Sequence, residues 1–415
     1  MHGFPIEWVR SQFPSLELSF DGGAAIFLDA PGGTQVPIAV TRAVRDYYRR
    51  HNSNVGGRFV TSKNTEEIVC ETRIALADFV HANRPEEIVF GQNMTSLTFA
   101  LSRALAKTWE PGSEVIVTSL DHDANITPWK LAAADRGCTV KTWEMRIEDC
   151  TLRIEDLRPL ISDKTCLIAV TLASNAVGSH VDVARVAELV RGSRIKVFVD
   201  AVHFAPHSHI DVQALGCDFL TCSVYKFYGP HIGVLWGKYQ WLDELEAYKV
   251  RPSSAKPPEK WETGTQSFES IAGTSAALDY LREAGYQANG SGGIAGAMGA
   301  IQEYESNLSL RFLHGLDDLE RVALFGLSAP GEVRHRTPTF AIRIEGIRPD
   351  DAAEKLAERG IFVWSGNFYA ADLVDRLGLT DSGGVLRLGF THYHTIDEID
   401  RTLAALAVLS QKGTI

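Results

Sequence analysis

The chain is 415 residues long, 45% hydrophobic and 22% charged, a globular composition with room for two or three folding units. Its net charge of −11 and the lack of a long basic run argue against nucleic acid as a partner. A small anionic ligand would therefore need a local positive site.

The first twenty residues, MHGFPIEWVRSQFPSLELSF, have no basic stretch followed by an apolar core, so they do not read as a secretory signal. Residues 84–237 then alternate strand-like and helix-like pieces. Strands are predicted at 87–90 (EIVF), 114–118 (EVIVT), 166–172 (CLIAVTL), 195–199 (IKVFV, ending on Asp200) and 219–223 (FLTCS). Helical spacing occupies 95–106, 126–135 and 183–190. Continuous apolar strands separated by amphipathic helices predict an α/β domain with a mostly parallel sheet covered on both faces. The stretch NGSGGIAGAMG at 289–299 looks like a connection, with a helical pattern over 294–313. The texture then changes. Strands are expected at 339–344, 360–364 and 385–389, and helices at 349–358 and 395–409. This predicts a large α/β domain over 21–299 and a smaller α+β domain built from 300–415, with 1–20 docked beside it.

No apolar run approaches the ~18 residues of a membrane span. The cysteines (Cys70, Cys138, Cys150, Cys166, Cys217 and Cys222) show no CxxC pair and no metal-finger spacing. They read as reduced thiols of a cytoplasmic protein.

In open α/β sheets, ligands bind beyond the carboxyl ends of the strands. After EIVF come Asn93, Met94, Thr95 and Ser96, opening a helix. After EVIVTSL come Asp121 and His122. After CLIAVTL come Ser174 and Asn175. IKVFV ends on Asp200, with His203 three residues on. FLTCS delivers Ser223 and then Lys226. Singly these are a helix cap, a loop histidine, a turn residue and a solvated lysine. Jointly they place an amine, an acid, an imidazole and a helix N-terminus at one sheet edge.

Pyridoxal 5'-phosphate needs that set. Its aldehyde takes a lysine as a Schiff base, here Lys226, and its pyridine nitrogen needs a carboxylate. Its phosphate suits a helix N-terminus with hydroxyls. Its ring can stack on an imidazole, and its phenolic oxygen needs a donor.

The segments LDHDANITPWK, TLASNAVGSHVDV, FVDAVHFAPH and SVYKFYGPHIGVLWG resemble the fold type I, class V aminotransferase-like enzymes. Within that family the chain is most similar to group II cysteine desulfurases and selenocysteine lyases. The resemblance runs from FLDAPGGTQVP to LRLGFTHYHTIDEIDRTL. It implies a mostly parallel, seven-stranded-type sheet with helices on both faces, and a homodimer with shared active sites. It also implies site roles. His122 stacks on the cofactor ring and helps with protonation, Asn175 meets the phenolic oxygen, and Asp200 pairs with the pyridine nitrogen. His203 stands where a glutamine is common. Ser223, Tyr225 and Thr95 bind phosphate, with Met94 offering only its backbone. Thr265, in ETGTQS, reaches the neighbouring subunit's phosphate. Arg387, in GVLRLGF, grips the substrate α-carboxylate, a task suited to a guanidinium fork.

The sequence departs from this family at one telling place. A desulfurase thiol is expected after the motif here represented by GIFVWSGNFYA, and that position holds Tyr369. No cysteine follows Cys222, so persulfide chemistry lacks its usual nucleophile. Trp364, Asn367, Phe368 and Tyr369 would instead wall the substrate site. The expectation is therefore an enzyme acting on an L-amino acid by carbon–sulfur or carbon–selenium cleavage. The alternatives are class V transamination, epimerisation, or a catalytically idle cofactor-binding protein.

Overall fold

The computed structural model describes residues 3–20, 23–290 and 292–412. The expected domain boundary at residue 21, Ser291 of the small-residue connection and the last three residues of the small domain lie outside the described residues.

The large sheet is built from β1 (Ile88–Gly91), β2 (Glu114–Thr118), β3 (Thr139–Trp143), β4 (Thr165–Thr171), β5 (Lys196–Asp200), β6 (Phe219–Ser223) and β7 (Gly233–Gly237). Their order across the sheet is β1-β7-β6-β5-β4-β2-β3. Strand β7 is antiparallel to both its neighbours and the remaining pairs are parallel. The mostly parallel α/β expectation therefore holds. The apolar runs are buried on both faces, as parallel strands under helices require. Two strands of this sheet are unpredicted, β7 and β3; β3 is an edge strand whose only buried residue is Trp143.

Because β7 runs against its neighbours, its first residue sits at the edge where the other strands end. A side chain at Gly233 would put a Cβ 2.4 Å from the backbone carbon of Asn93. Only glycine lets β7 pass this close to the start of the helix after β1. That helix, α1 (Met94–Ala106), is capped by Asn93, whose side chain accepts from the Ser96 amide at 2.9 Å. Two long helices follow the large sheet, α2 (Phe268–Asn289) and α3 (Ile294–Asp317). The expected connection over 289–299 is shorter than read. α2 ends on Gly290 in the left-handed region, and α3 begins four residues later.

The second sheet holds β8 (Val322–Phe325), β9 (Thr339–Ile344), β10 (Trp364–Gly366) and β11 (Val385–Gly389) in the antiparallel order β8-β9-β11-β10. Its core is Phe312, Phe340, Phe390 and Leu406 with their neighbours. The expected strand over 360–364 is divided. Ile361–Phe362 pairs in parallel with Ile26–Phe27, and β10 begins at Trp364.

The N-terminal segment packs against residues that follow strands of each sheet. Phe13 packs against Tyr228 and Tyr280 on one side and Tyr393 on the other. Arg10 bonds the Tyr393 carbonyl at 2.7 Å and pairs with Glu398. Buried hydrogen bonds link distant parts of the chain: His207 to Glu305 at 2.8 Å, and His392 between the hydroxyls of Tyr280 (2.6 Å) and Tyr228 (2.9 Å).

Candidate active site

Asp200 ends β5. Its backbone carbonyl accepts from the Leu172 amide, and its Oδ1 accepts from the Val202 amide at 2.8 Å. Burial raises its pKa to about 6, against the pull of that amide and of Lys226. Among the described residues no ion pair involves it. Lys226 follows β6 on a short turn, and its amine donates to the Pro31 carbonyl. Burial, with the charge of Arg387 adding to it and Asp200 opposing, brings the amine down from 10.5 to about 7. The Tyr225 ring lies 5.1 Å from that amine and stacks on His231.

His122 follows β2. The preceding Asp121 is wholly buried and ties three elements together. It accepts from the Thr118 hydroxyl (2.5 Å), the Asn125 amide (2.6 Å) and the Thr171 backbone amide (3.1 Å). Burial lifts it to about 8, and nearby Asp200 adds to the rise. His122 itself accepts the Ala124 amide on Nδ1 at 3.0 Å, which places its proton on Nε2. Burial and the charge of Lys226 lower its pKa to about 4, so the ring is neutral at pH 7.

Arg387 lies on β11 with only 4% of its surface exposed. It donates to the Asn175 carbonyl at 2.8 Å, and its guanidinium lies 4.0 Å from the Phe368 ring centre. Burial lowers its pKa to about 9. Asn175 gives an N–H to the Phe368 carbonyl at 2.9 Å. Two atoms here are buried without a hydrogen-bond partner, Asn175 Oδ1 and Arg387 Nε.

The helix edge supplies Met94, whose amide donates to the Ser223 hydroxyl at 3.0 Å. That leaves the hydroxyl proton of Ser223 to donate elsewhere. Thr95 is exposed on the first turn of α1. His203 is buried, with Nε2 2.9 Å from the Thr339 hydroxyl and 3.2 Å from that of Thr337. Thr265 is exposed, on a segment anchored by Glu262. Glu262 pairs bidentately with Arg73 (2.8 and 3.2 Å) and accepts the Phe90 amide at 2.9 Å.

The loop after β10 completes the site. Asn367 Oδ1 accepts the Tyr369 amide at 3.1 Å, the Tyr369 carbonyl accepts the Asp123 amide at 2.7 Å, and the Tyr369 ring stacks on His122 at 5.3 Å. Phe368 and Tyr369 both have positive φ, 54° and 59°. The structure thus brings Lys226, Asp200, His122, Asn175, Arg387, Asn367 and Tyr369 into one connected neighbourhood, beside the α1 edge with Met94, Thr95 and Ser223. Among the described residues Thr265 makes no hydrogen bond to this set.

Sequence reasoning missed the contributions made through backbone atoms. These are the carbonyls of Pro31 and Phe368 and the amide of Asp123. It also passed over Asp29, a buried carboxyl close to the charge of Arg387, with Oδ1 lacking a partner. The PGG run at 31–33 was the available signal. Gly32 lies under the Trp364 indole and Gly33 against Tyr225, where a Cβ would crowd either ring.

Comparison with known proteins gives the same picture. The family model for Aminotransferase class-V matches residues 26–402. A probable cysteine desulfurase of Halalkalibacterium halodurans is 32% identical over 407 residues, 94% of this chain and 95% of its own. An aminotransferase-like protein of Gibberella zeae is 32% identical over 420 residues, covering 98% of each. The apo cysteine desulfurase of Thermococcus onnurineus NA1 superposes with a TM-score of 0.88 at 26% identity, covering 99% of each chain. The chain therefore belongs to the class-V aminotransferase family, as a pyridoxal-phosphate-dependent, cysteine desulfurase-like enzyme of fold type I.

Proposed function

We propose that the protein cleaves a carbon–sulfur or carbon–selenium bond in an L-amino acid without a persulfide-forming cysteine. The observation that carries this is the trio of Lys226, Asp200 and Arg387, gathered at one place and, among the described residues, held in no ion pair. Asn175 Oδ1 and Arg387 Nε, both without partners, also fit a ligand that brings its own polar groups.

Lys226 would hold the aldehyde carbon of the cofactor, and Asp200 would face its ring nitrogen. His122 would lie on the ring, Asn175 would offer its spare N–H to the phenolic oxygen, and His203 would stand behind. Ser223, Thr95, Tyr225 and the Met94 backbone would surround the phosphate. When bound, the cofactor supplies a sink for the electron pair left by the departing α-proton. Arg387 orients the α-carboxylate, so that the α-proton faces the Lys226 amine. That amine, close to half neutral at pH 7, takes the proton. Asn367 and Tyr369 bound the side-chain end of the substrate.

Thr265 would serve the site of a second subunit. Tyr48, Val55, Phe59 and Val60 are large, exposed apolar residues. Tyr48 bonds Glu269, just beyond the Thr265 segment. That continuity supports a homodimer sharing its sites. All six cysteines are unpaired, which suits a reducing cytoplasmic setting.

The test is a single turnover of cofactor-loaded protein with L-cysteine, following the visible spectrum together with sulfide, alanine and pyruvate. Sulfide release supports the reading, and its partner product separates desulfuration (alanine, with added dithiothreitol accepting the sulfur atom and reducing it to sulfide) from β-elimination (pyruvate, with no reductant needed). A spectral change with no sulfide, selenide or thiol released from any sulfur or selenium amino acid overturns it. The result would then favour transamination or epimerisation, a reading for which the aminotransferase-like relative and Tyr369 already speak. An unchanged spectrum with every amino acid would point to an idle cofactor-binding protein.

A further inference from the structure

The segment that would carry a thiol is held still. Phe368 and Tyr369 sit consecutively in the left-handed region, a conformation that side chains this large keep only when their surroundings enforce it. The enforcement is visible. The Asn175 side chain holds the Phe368 carbonyl, the Asp123 amide holds the Tyr369 carbonyl, and the Ala370 amide closes the turn onto Asn367 at 2.8 Å. These tethers fix the backbone of the loop at Phe368 and Tyr369 on three hydrogen bonds. No other thiol takes the place of the missing one. Cys150, Cys166, Cys217 and Cys222 are each pushed well up by burial, and Cys70 and Cys138 lie on other elements.

The same segment exposes two aromatic rings. Tyr369 is 71% exposed and Trp364 53%. Both are coupled to the site. Tyr369 stacks on His122. Trp364 is the register partner of Arg387 across β10 and β11, and its indole lies over Gly32, next to the Pro31 carbonyl that receives Lys226. Two exposed rings therefore stand at the edge of the site, one opposite Arg387 and over Gly32, the other on His122, where the rest of a substrate held by Arg387 would extend.

We infer that the substrate is an L-cysteine thioether whose sulfur carries a flat, apolar substituent, and that Trp364 and Tyr369 receive that substituent during β-elimination. The inference rests on the function proposed above and names its substrate class. The chemistry closes without an acceptor thiol. The α-proton passes to Lys226, the Cβ–S bond breaks, and its electron pair leaves on sulfur as a thiolate that is then protonated. The remaining three-carbon enamine takes up one water and yields pyruvate and ammonium. Nothing is oxidised or reduced overall.

The probe is S-phenyl-L-cysteine, compared with S-methyl-L-cysteine and L-cysteine on the cofactor-loaded protein. Thiol release, pyruvate and the cofactor spectrum are measured together. We expect equal amounts of thiophenol and pyruvate, with kcat/KM for the phenyl compound roughly tenfold above that for the methyl compound. Trp364→Ala and Tyr369→Ser should remove this preference by raising KM for the phenyl compound more than for the methyl compound. Tyr369→Phe should retain it. The inference is overturned if S-phenyl-L-cysteine perturbs the spectrum without releasing thiol while L-cysteine gives sulfide and alanine. It is equally overturned if the variants weaken phenyl and methyl compounds alike. If no amino acid perturbs the spectrum, the proposed function fails first and takes the inference with it.

Discussion

Replacing the site lysine should make the cofactor-free protein more stable. Lys226 is an amine brought from 10.5 to about 7 by burial and by Arg387. At ~1.4 kcal/mol per tenfold, that displacement corresponds to about 5 kcal/mol against folding. The residue is half-buried as a whole, so solvent screens part of this, and roughly 2–3 kcal/mol remains. Lys226→Met removes that cost, keeps most of the packing, and leaves the Pro31 carbonyl without its donor, at ~1 kcal/mol. The net gain is about 1–2 kcal/mol, or a rise of roughly 2 °C in Tm for a chain of this size. The pH dependence carries the sign. The folded amine loses its proton near 7 and the unfolded one near 10.5, so between those values the unfolded state binds more protons. Wild-type stability therefore rises with pH relative to the variant. The variant's advantage in Tm should be full below pH 7 and lost by about pH 10, where the missing Pro31 donor leaves it slightly below wild type, by ~1 kcal/mol. Thermal melts of both cofactor-free proteins across that range are the assay. A variant that melts lower than wild type by the same amount at every pH would show that the amine is not desolvated, and the reasoning would fall.

The lowered amine also predicts how the cofactor loads. Stopped-flow absorbance should show the rate rising as pH climbs through about 7, because only the neutral amine attacks an aldehyde. A rate that climbs only toward pH 10 would contradict this. Arg387→Ala should raise KM for the amino acid about 10- to 100-fold, the worth of a charge-assisted bond, with Arg387→Lys recovering only part. Initial rates and spectral titration measure both. Gly233→Ala forces a Cβ to 2.4 Å from the Asn93 backbone and should cost ~2 kcal/mol or more and weaken cofactor binding. Gly299→Ala, in open space on α3, should stabilise by ~0.5–1 kcal/mol in the same melts.

The strand-end residues were legible because β-α alternation fixes both where strands end and which end faces a ligand. Asp200, Ser223 and Lys226 follow from that rule alone, and Arg387 and Thr265 needed the family resemblance. The direction of β7 was not legible. GVLWG is an apolar run, and an apolar run carries no sign of parallel or antiparallel pairing. Strand β3 was missed because TVKTW buries only Trp143. The helix Val60–Phe79 was not singled out, since VTSKNTEEIVCETRIALADF mixes polar and apolar residues with little periodicity. Least legible of all were the backbone contacts to Pro31, Phe368 and Asp123. A side-chain sequence says nothing of which carbonyl or amide a loop will offer. Only the tertiary docking of the second sheet brings residues 367–369 against Asn175 and Asp123.

The charged groups of the site share one physical condition. Asp121 is raised to about 8 and Asp200 to about 6, while Lys226 falls to about 7 and Arg387 to about 9. Burial is the leading cause in all four, and each group is displaced toward its neutral form. The two acids do not share one role. Asp121 is met by three donors within the protein, so it works as a structural tie beside His122. Asp200 has one donor and stays mostly ionised, which makes it the carboxylate available to a cationic ring nitrogen. Folding alone gains nothing from leaving an ionised acid, an amine and a guanidinium buried without matched partners. A ligand that carries a protonated ring, an aldehyde and an anionic substrate would match all three. The stability withheld by Lys226 is thus the energetic mark of the site, and it is what the melts of Lys226→Met are designed to read.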